Sequence, residues 1–351
     1  MQMAPFLRLA SGVGAVNVAS RLTALALGIL LARWLGPDGY GAYAVVMSVV
    51  VLAMIPAKAG LPDLVLREIA ATGVDPARGE PATLLGRAAM LVLGISLALV
   101  AAGYIAIAVL LGPEDRDLAL GLAIGLWMLP GLALLTLCDG ALRGLGQPVS
   151  AQALLELVPA LVALVLIATA LVSAVGGQAE VALMARLIGI VGALGAIAVL
   201  LHRALGPRRT RGPARAPSPR RLLRQAAPFL MLGGAQVVLS RTDLVMLGLL
   251  AEPRSAGFYK VALEGAVLVG MCLNIANTVL AREFSRRHAG GDLAGLEQTA
   301  IRTARLTTAA TAPLALGLIV WGESLIVLTF GPDFGSYSIR RTPLLLPGLG
   351  S

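Results

Sequence analysis

Charge is scarce in this chain. Of its 351 residues, 13% are Asp, Glu, Lys or Arg and 58% are hydrophobic, and the mean hydropathy is +0.86. A water-soluble domain of this length needs a larger polar exterior. The composition therefore argues against a soluble protein and indicates that lipid is the main solvent of the chain.

Cysteine, histidine and aromatic residues are also few. Cys138 and Cys272 lie in apolar stretches, far from either histidine, which argues against a disulfide framework or a zinc site. Aromatic residues make up 4% of the chain, and no basic patch is interleaved with them. The net charge of +9 therefore does not indicate nucleic-acid binding.

Motifs that mark enzymes are missing as well. The sequence has no G-x-x-x-x-G-K-[ST] phosphate loop, no H-E-x-x-H and no G-x-S-x-G. No cleavable signal peptide is recognisable before the first apolar stretch. We therefore expect a protein that is not an enzyme, with no catalytic residues, no cofactor and no bound metal.

What the chain does contain is a series of long apolar segments. A helix that crosses a membrane needs about 20 mainly apolar residues. This pattern predicts an all-α, polytopic membrane helical bundle, and a tenth segment begins near 339. Nine segments reach the required length, at 7–34, 40–68, 82–111, 117–142, 149–173, 179–205, 222–250, 256–283 and 296–330.

The distribution of arginine predicts the orientation in the bilayer. Basic residues concentrate in alternate loops, above all in 206–221, GPRRTRGPARAPSPRR. This stretch is too polar and Pro-rich to pack, so we expect a flexible linker. Because cytoplasmic loops carry the excess of Lys and Arg, the pattern places the N-terminus in the cytoplasm.

Two motifs recur at almost the same spacing. The Ser-Arg of Arg21 returns at Arg241, and the Gly-Pro turn of Pro113 returns at Pro332, offsets of 220 and 219. Segments one to three thus correspond to segments seven to nine. Because the first half has an even number of segments, six, both halves start on the same side of the membrane, so the repeat is parallel. Transporters with such repeats hold their substrate at the interface between them.

The repeat also predicts the domain organisation. An N-terminal bundle of six helices spans 1–205, the linker spans 206–221, and a C-terminal bundle spans 222–351. The second half holds three segments and the start of a fourth. Since counterparts of segments four to six would extend past residue 351, we expect a truncated second half.

Charged residues inside the segments are the first candidates for a site, because such charges usually face a protein interior or a water-filled cavity. Arg21 lies midway along the first segment and Arg241 at the matching point of the seventh. They either line a central cavity or extend their long side chains to the cytoplasmic surface. Asn17 lies four residues before Arg21, on the same helix face, and Gln236 lies five residues before Arg241. These two amides either face a wet lumen or form hydrogen bonds between helices.

Other candidates are less symmetric. Lys58 lies near the end of the second segment, two residues before Gly60, where we expect a kink or the end of the helix. It either contacts a ligand or approaches the cytoplasmic headgroups. Arg186, within the sixth segment, is a candidate for the lumen. Lys260 and Glu264 are candidates for head-group and ion contacts, but their i,i+4 spacing also favours a pair with each other.

Two further carboxylates are candidates for ion coupling. Asp243 is two residues from Arg241 and alternatively pairs with it. Glu156 lies in the fifth segment, shortly before a proline. Asp139 and Arg143 share the i,i+4 spacing near a cytoplasmic turn, and for them we expect a surface pair.

Four motifs carry a resemblance to a known family. Together they resemble the polysaccharide-biosynthesis or oligosaccharide flippase family, whose superfamily also holds multidrug exporters and the peptidoglycan-precursor flippase. The motifs are ARWLGPDGYG at 32–41, Gly60-Leu61 followed by Arg67-Glu68, ALRGLGQ at 141–147 and FGPDF at 330–334.

This resemblance implies two helical bundles around a V-shaped central cavity with alternating access. It implies that an undecaprenyl-diphosphate-linked oligosaccharide crosses from the cytoplasmic to the outer leaflet of a bacterial inner membrane during surface polysaccharide biosynthesis. Polysaccharide polymerase or glycosyltransferase machinery would be the protein partners. On this hypothesis Arg21 and Arg241 are duplicate contacts to one anionic head group.

Two alternatives remain open. One is an ion-coupled multidrug exporter of the same superfamily, which would use acidic lumen residues. The other is a non-transporting membrane scaffold or inactive fragment, which the expected truncation favours.

Overall fold

The protein is helical throughout the residues described by its computed structural model, which are 3–72, 80–112, 116–173, 177–205, 218–250, 254–266, 270 and 293–335. No β-strand occurs among them. The helices of this part are α1 (Met3–Lys58), α2 (Leu61–Thr72), α3 (Glu80–Leu110), α4 (Arg116–Gly144), α5 (Pro148–Gln152), α6 (Val158–Val172), α7 (Ala179–Leu205), α8 (Pro219–Leu250), α9 (254–266) and α10 (Leu293–Phe330). A π turn (Ala153–Leu157) joins α5 to α6, and a 3-10 turn (Pro332–Phe334) follows α10.

The predicted all-α class is confirmed, and most helix ends fall within three residues of the predicted ones. The agreement is close because the loops are marked by Gly, Pro and charge, which end apolar helices. The predicted eighth segment is helical over 254–266. Its remainder, and the segment expected from 339, lie outside the described residues.

Helix α1 is a hairpin rather than one straight rod. Gly36 has φ 68° and ψ 179°, which is not helical, and Pro37 next to it has no N–H to continue the ladder. Beyond this break Tyr40 folds back, so that its Oη lies 3.3 Å from the position of a Cβ on Gly28. In a straight helix these residues would be about 18 Å apart. The turn predicted after residue 35 is confirmed, and it separates a first arm (3–35) from a second arm (37–58).

The turn of the hairpin defines one end of the bundle. Gly177, just before α7, packs closely against the backbone of Trp34. We call this the Gly36 end. Helix α7 therefore starts at the Gly36 end and runs away from it.

The first arm and the segment after the second arm each contact a later helix, and the second of these contacts defines the opposite end. Asn17 Oδ1 in the first arm accepts a 2.8 Å hydrogen bond from Gln152 Nε2 of α5. Just after the second arm, Pro62 packs against Gly140 near the end of α4, where a Cβ would be 3.0 Å from the Pro62 carbonyl carbon. We call this the Gly60 end.

The second arm stops at a sharp bend. Ala59 and Gly60 have φ angles of 48° and 70°, a left-handed conformation that glycine adopts without strain. The kink expected at Gly60 is therefore confirmed. The missing side chain also lets α8 approach, because a Cβ on Gly60 would collide with the carbonyl oxygen of Ala226 and lie 2.7 Å from the nitrogen of Leu230.

Helix α8 lies along the second arm and runs antiparallel to it. From the start of α8, Ala226 contacts Gly60, Gly234 packs on Ile55 and Gly248 packs on Val45. Later residues of α8 thus contact earlier residues of the second arm. Since the two arms of α1 are antiparallel to each other, α8 is parallel to the first arm. This is the direction that the parallel repeat predicts for the first and seventh segments.

The chain divides into two compact units, Met1–Ala256 and Gly257–Ser351. Helix α8 packs with the first unit, on α1 and α2, although the repeat assigns it to the C-terminal bundle. The division into bundles at 206–221 stays a prediction. In the second unit Phe334 packs edge-on against Phe258, with ring centroids 5.5 Å apart.

Seven helices of the described residues are long and apolar enough to cross a membrane. The longest, Gly12–Lys58, has 47 residues, and the hairpin at Gly36 divides it into two lengths that each suit one crossing. Large apolar side chains cover outward faces: Met90, Ile105 and Val109 of α3 are 76%, 66% and 75% exposed. Contiguous apolar surface of this extent indicates contact with lipid. The protein is a multi-pass membrane protein, and its orientation stays a prediction.

We expect Gly60→Ala to destabilise the first unit by more than about 2 kcal/mol, because the new methyl group meets the backbone of α8 at a strained φ. Thermal unfolding of the detergent-purified protein measures this effect. The matched control is Gly86→Ala in α3, where no atom lies within 4 Å of the Cβ position. Equal unfolding temperatures for Gly60→Ala and the wild type would contradict the close approach of α8.

The Asn17–Gln152 hydrogen bond is expected to couple the first arm to α5 by about 0.5–1.5 kcal/mol, the range found between membrane helices. A double-mutant cycle with Asn17→Ala, Gln152→Ala and the double variant measures the coupling in the same unfolding assay. Each single variant should be destabilised, and the double variant should be less destabilised than their sum. Strict additivity would argue against the bond.

Candidate functional site

The amide of Asn17 is used in helix packing. Its Oδ1 accepts from Gln152, and its Nδ2 donates to the carbonyl oxygen of Val13, 3.2 Å away in its own helix. Of the two alternatives for Asn17, the structure has the interhelical hydrogen bond. Because both halves of the amide have partners, this bond fixes the rotation of the first arm one turn before Arg21.

Arg21 lies near mid-depth of the bundle. It is seven residues before Gly28, which packs on Tyr40 of the second arm. Seven helical residues span about 10 Å, so Arg21 is that much closer to the Gly60 end than Tyr40 is. The second arm covers 37–58, and the level of Arg21 falls within its middle part.

Arg241 reaches nearly the same depth by the same spacing. It is seven residues before Gly248, which packs on Val45. Because α8 and the first arm are parallel, both arginines lie toward the Gly60 end from the contact that follows them. Arg241 is about 10 Å from the level of Val45, and Arg21 is about 10 Å from the level of Tyr40. Tyr40 and Val45 are five residues apart, so the two arginines differ in depth by no more than about 8 Å.

Both arginine side chains are accessible, and no described residue serves as a counter-ion to either. Arg21 is exposed and Arg241 is half-buried. Within the described part of the chain neither guanidinium has a hydrogen-bond or ion-pair partner. An uncompensated charge at mid-depth is costly in a membrane, which keeps both arginines as candidates for a site.

Ser20 adds an unsatisfied hydroxyl next to Arg21. The residue is 4% exposed, and its Oγ has no hydrogen-bond partner among the described residues. Other serines in the bundle return their hydroxyl to the preceding turn, as Ser48 does to the carbonyl oxygen of Ala44 at 2.8 Å. In the first arm, therefore, neither residue of the Ser-Arg motif, Ser20 or Arg21, has a side-chain hydrogen-bond partner among the described residues.

The polar neighbours of Arg241 differ from those of Arg21. Gln236 is exposed, about 8 Å nearer to the Gly60 end along α8. Asp243 Oδ1 accepts the backbone N–H of Leu244 at 2.8 Å. One oxygen of this carboxylate is therefore occupied by its own helix.

One of the predicted cations lies away from this depth. Lys58 is the last residue of α1 and is half-buried at the Gly60 end. Arg186 is half-buried in α7, nine residues or about 14 Å beyond Gly177, which packs on Trp34. Since Arg21 is about 20 Å from Trp34, Arg186 lies within about 6 Å of the level of Arg21.

Lys260 and Glu264 belong to the second unit and pair with each other. The Nζ of Lys260 lies 2.6 Å from Oε1 of Glu264. The alternative of a local i,i+4 pair is confirmed. Both side chains are partly buried, with 22% and 17% exposure, so each neutralises the other on one face of α9.

Asp139 and Arg143 also form the expected pair, but it is not a surface pair. Arg143 Nε lies 3.1 Å from Oδ1 and 3.0 Å from Oδ2 of Asp139. Asp139 is only 7% exposed. The expectation was wrong because the adjacent Gly140 lets α2 pack directly onto this end of α4.

Glu156 is exposed in the π turn. The turn has a local cause: Pro159 has no N–H to donate to the carbonyl four residues earlier, and the N–H of Val158 instead bonds to the carbonyl of Ala153. This wider turn projects Glu156 outward. The other candidate carboxylates, Asp243 and Glu264, have partners on their own helices.

Sequence reasoning missed two polar residues near the arginine pair. Gln152 was not singled out, although it is an amide inside an otherwise apolar segment. Ser20 was seen as part of the Ser-Arg repeat, but its burial was not foreseen. Polarity within an apolar segment was the available signal for both.

Comparison with known proteins gives the family. The profile of the family described as polysaccharide biosynthesis protein matches residues 10–286. No curated protein matches the chain. The matched range includes both arginines and the helices α1 to α8.

Solved structures with a similar fold are transporters. An inward-facing multidrug resistance MATE family transporter of the MOP superfamily has a TM-score of 0.66 at 15% identity, covering 93% of this chain and 78% of its own. The MATE multidrug transporter DinF-BH, solved in complex with a ligand, has a TM-score of 0.60 at 16% identity, with 93% and 75% covered. A MOP superfamily transporter from Pyrococcus furiosus Vc1, described as having a binding pocket of reversed polarity, has a TM-score of 0.55 at 18% identity, with 92% and 73% covered.

These likenesses concern the fold, since each identity is below 20%. The family match covers most of the chain and includes the hairpin, the bend at Gly60 and the parallel α8. The chain therefore belongs to the polysaccharide biosynthesis protein family, and it has the fold of the membrane transporters of the MOP superfamily.

Proposed function

We propose that this protein is a flippase that moves a polyprenyl-diphosphate-linked oligosaccharide from the cytoplasmic to the outer leaflet of a bacterial inner membrane. One observation carries the proposal. Arg21 and Arg241 lie at nearly the same depth, without counter-ions among the described residues, in a member of a polysaccharide biosynthesis family.

The chemistry of this substrate fits two arginines. A diphosphate is a compact dianion with several acceptor oxygens, and each guanidinium offers a planar fork of donors that binds phosphate in a bidentate manner. In an environment of low dielectric constant such charge-assisted bonds are stronger than in water. The polyprenyl tail can stay in the bilayer while the head group occupies a wet cavity.

The repeat suggests how the site would be used. Parallel repeats place their matching residues on either side of a central site, and rocking of one bundle against the other exposes that site alternately. We infer a V-shaped cavity of this kind with the N-terminus in the cytoplasm. Lys58 and Gln236, toward the Gly60 end, would then lie on the cytoplasmic side of the arginine pair.

The MOP fold alone does not select the substrate, because the similar structures include multidrug transporters and one with a pocket described as reversed in polarity. An exporter of cationic drugs needs free carboxylates in its lumen. Here Glu264 pairs with Lys260, and Asp243 accepts a backbone N–H. Asp243 is itself exposed beside Arg241, so the charges at this depth are not all cationic. The two arginines outnumber it, which favours an anionic substrate.

The first test concerns the substrate. In a bacterial strain that lacks this gene, we expect completed lipid-linked oligosaccharide to accumulate on the cytoplasmic leaflet. Expression of the chain should return it to the outer leaflet, where polymerase or glycosyltransferase machinery would act on it. The measurement is the fraction of extracted glycan-lipid that a membrane-impermeant reagent labels in intact cells.

A different result would redirect the assignment. If the labelled fraction does not change while efflux of a cationic dye is lost, the protein is a drug exporter. If neither changes, a transport role of this chain is excluded under the conditions used, and a scaffold role follows.

The second test concerns the arginines. Arg21→Gln and Arg241→Gln should each lower glycan-lipid translocation at least tenfold, because one of two charge-assisted phosphate contacts is lost. Arg21→Lys and Arg241→Lys should retain part of it, since the charge remains while the bidentate geometry is lost. Translocation is measured by the same labelling in the complemented deletion strain.

Arg116→Gln serves as the matched control, because Arg116 is exposed at the Gly36 end, where α4 begins. This variant should translocate as the wild type does. All variants are compared at equal abundance in the membrane fraction. Unchanged translocation in both single variants and in the double variant would rule out the head-group role.

A further inference from the structure

A second basic feature, separate from the arginine pair, lies at the Gly60 end. Helix α8 begins with Arg220, Arg221 and Arg224, and all three are exposed. We call these three residues the α8 basic surface. Ala226, two residues later, contacts Gly60, which places the surface at the Gly60 end of the first unit.

The three arginines share one side of α8. At 100° per residue, Arg221 and Arg224 lie about 100° and 40° around the helix from Arg220. Leu222 and Ala226, which are 1% and 0% exposed, lie about 200° and 240° around it. The apolar side therefore anchors the first turns of α8 in the hydrophobic core, and the charged side is displayed outward on a fixed scaffold.

No described residue neutralises the charges of this surface. None of the three guanidinium groups has an ion-pair or hydrogen-bond partner among the described residues. By contrast, Arg67 at the same end pairs with Glu68 at 2.7 Å. The sequence also offers no nearby carboxylate along the chain, because residues 181–242 contain neither Asp nor Glu.

This arrangement opposes the stability of the helix. The first turn of a helix carries a partial positive charge, so that acidic residues stabilise it and basic residues destabilise it. Helix α8 has no acidic residue in its first turn. Three like charges within five residues repel one another as well. A sequence that keeps a local conflict of this kind usually serves a ligand, and here the ligand must be anionic.

We propose that the α8 basic surface binds the phosphate head groups of anionic bilayer phospholipids. The position of the surface selects this ligand over an acidic protein segment. Pro219–Gly248 is apolar enough to cross the membrane, so its first turn lies at the level of the head groups. Basic clusters next to a membrane-crossing helix attract anionic lipid, by about fivefold in affinity for each Lys or Arg.

This lipid surface is distinct from the proposed transport site. Arg241 is 17 residues beyond Arg224 in the same helix, about 25 Å along its axis. One lipid head group cannot contact both. The binding of phospholipid is therefore independent of whether the protein moves a glycan-lipid.

Native mass spectrometry of the purified full chain tests the proposal. The protein is mixed with equimolar phosphatidylglycerol and phosphatidylcholine, and the ratio of the two bound lipids is measured. We expect the wild type to prefer phosphatidylglycerol at least tenfold. The R220Q/R221Q/R224Q variant should lose most of that preference, whereas R220K/R221K/R224K, which keeps the charge, should retain most of it.

The matched control removes the same charge from the opposite end. Arg33, Arg116 and Arg254 lie at or near the Gly36 end, and R33Q/R116Q/R254Q should keep the preference. An equal ratio of the two lipids on the wild type would overturn the proposal, as would an equal loss in the control. Preferential capture of added polyprenyl phosphate over phosphatidylglycerol at these arginines would also overturn it, because the ligand would then be the transported lipid.

Discussion

The constraint on which this structure depends is that polar groups inside a hydrocarbon layer must find partners within the protein. The backbone meets it by forming helices, which satisfy each N–H within the same segment. Polar side chains meet it locally, as Ser48 and Ser96 do with the carbonyls of the preceding turn. Where no local partner exists, helices supply one to each other, as Asn17 and Gln152 do. Against this background, Arg21 and Arg241 are conspicuous, because neither has a partner in the part of the chain that the structure describes.

Helix association in lipid has a related consequence. Lipid tails are as apolar as leucine, so helices are held by close contact and by hydrogen bonds rather than by exclusion of water. Glycine makes such contact possible at the points that shape this bundle. Gly60 admits the backbone of α8, and Gly140 admits Pro62. A Cβ on Gly189 of α7 would lie 3.1 Å from the Pro159 Cα, so this glycine admits the backbone of α6. Close contacts at glycines fix the depth of each helix. For the same reason, the contact at Gly28 gives the depth of Arg21 and the contact at Gly248 gives the depth of Arg241.

Much of the fold could be predicted because its signals are local. Apolar length and Gly-Pro turns place the helices, and i,i+4 spacing finds the pairs Lys260–Glu264 and Asp139–Arg143. The rest depends on contacts between residues far apart in the chain. Gln152 lies 135 residues from Asn17, and no local pattern joins them. The burial of Asp139 likewise depends on α2. The arginine pair could be singled out because an internal repeat turns a long-range relation into a visible sequence pattern, although the ligand of the pair cannot be read from that pattern.

The two basic features of the chain differ in what surrounds them, and this difference separates their roles. The arginines at the start of α8 lie where water and head groups can solvate them, so their cost is small and several can be clustered. A single arginine at mid-depth costs much more, and the bundle contains one in each member of the repeat. For Arg21, snorkelling would require the side chain to extend over half the length of the second arm, about 15 Å, which exceeds the reach of an arginine. On the proposed function, the charge that meets the two arginines enters the bundle from outside, and an anionic head group is such a charge.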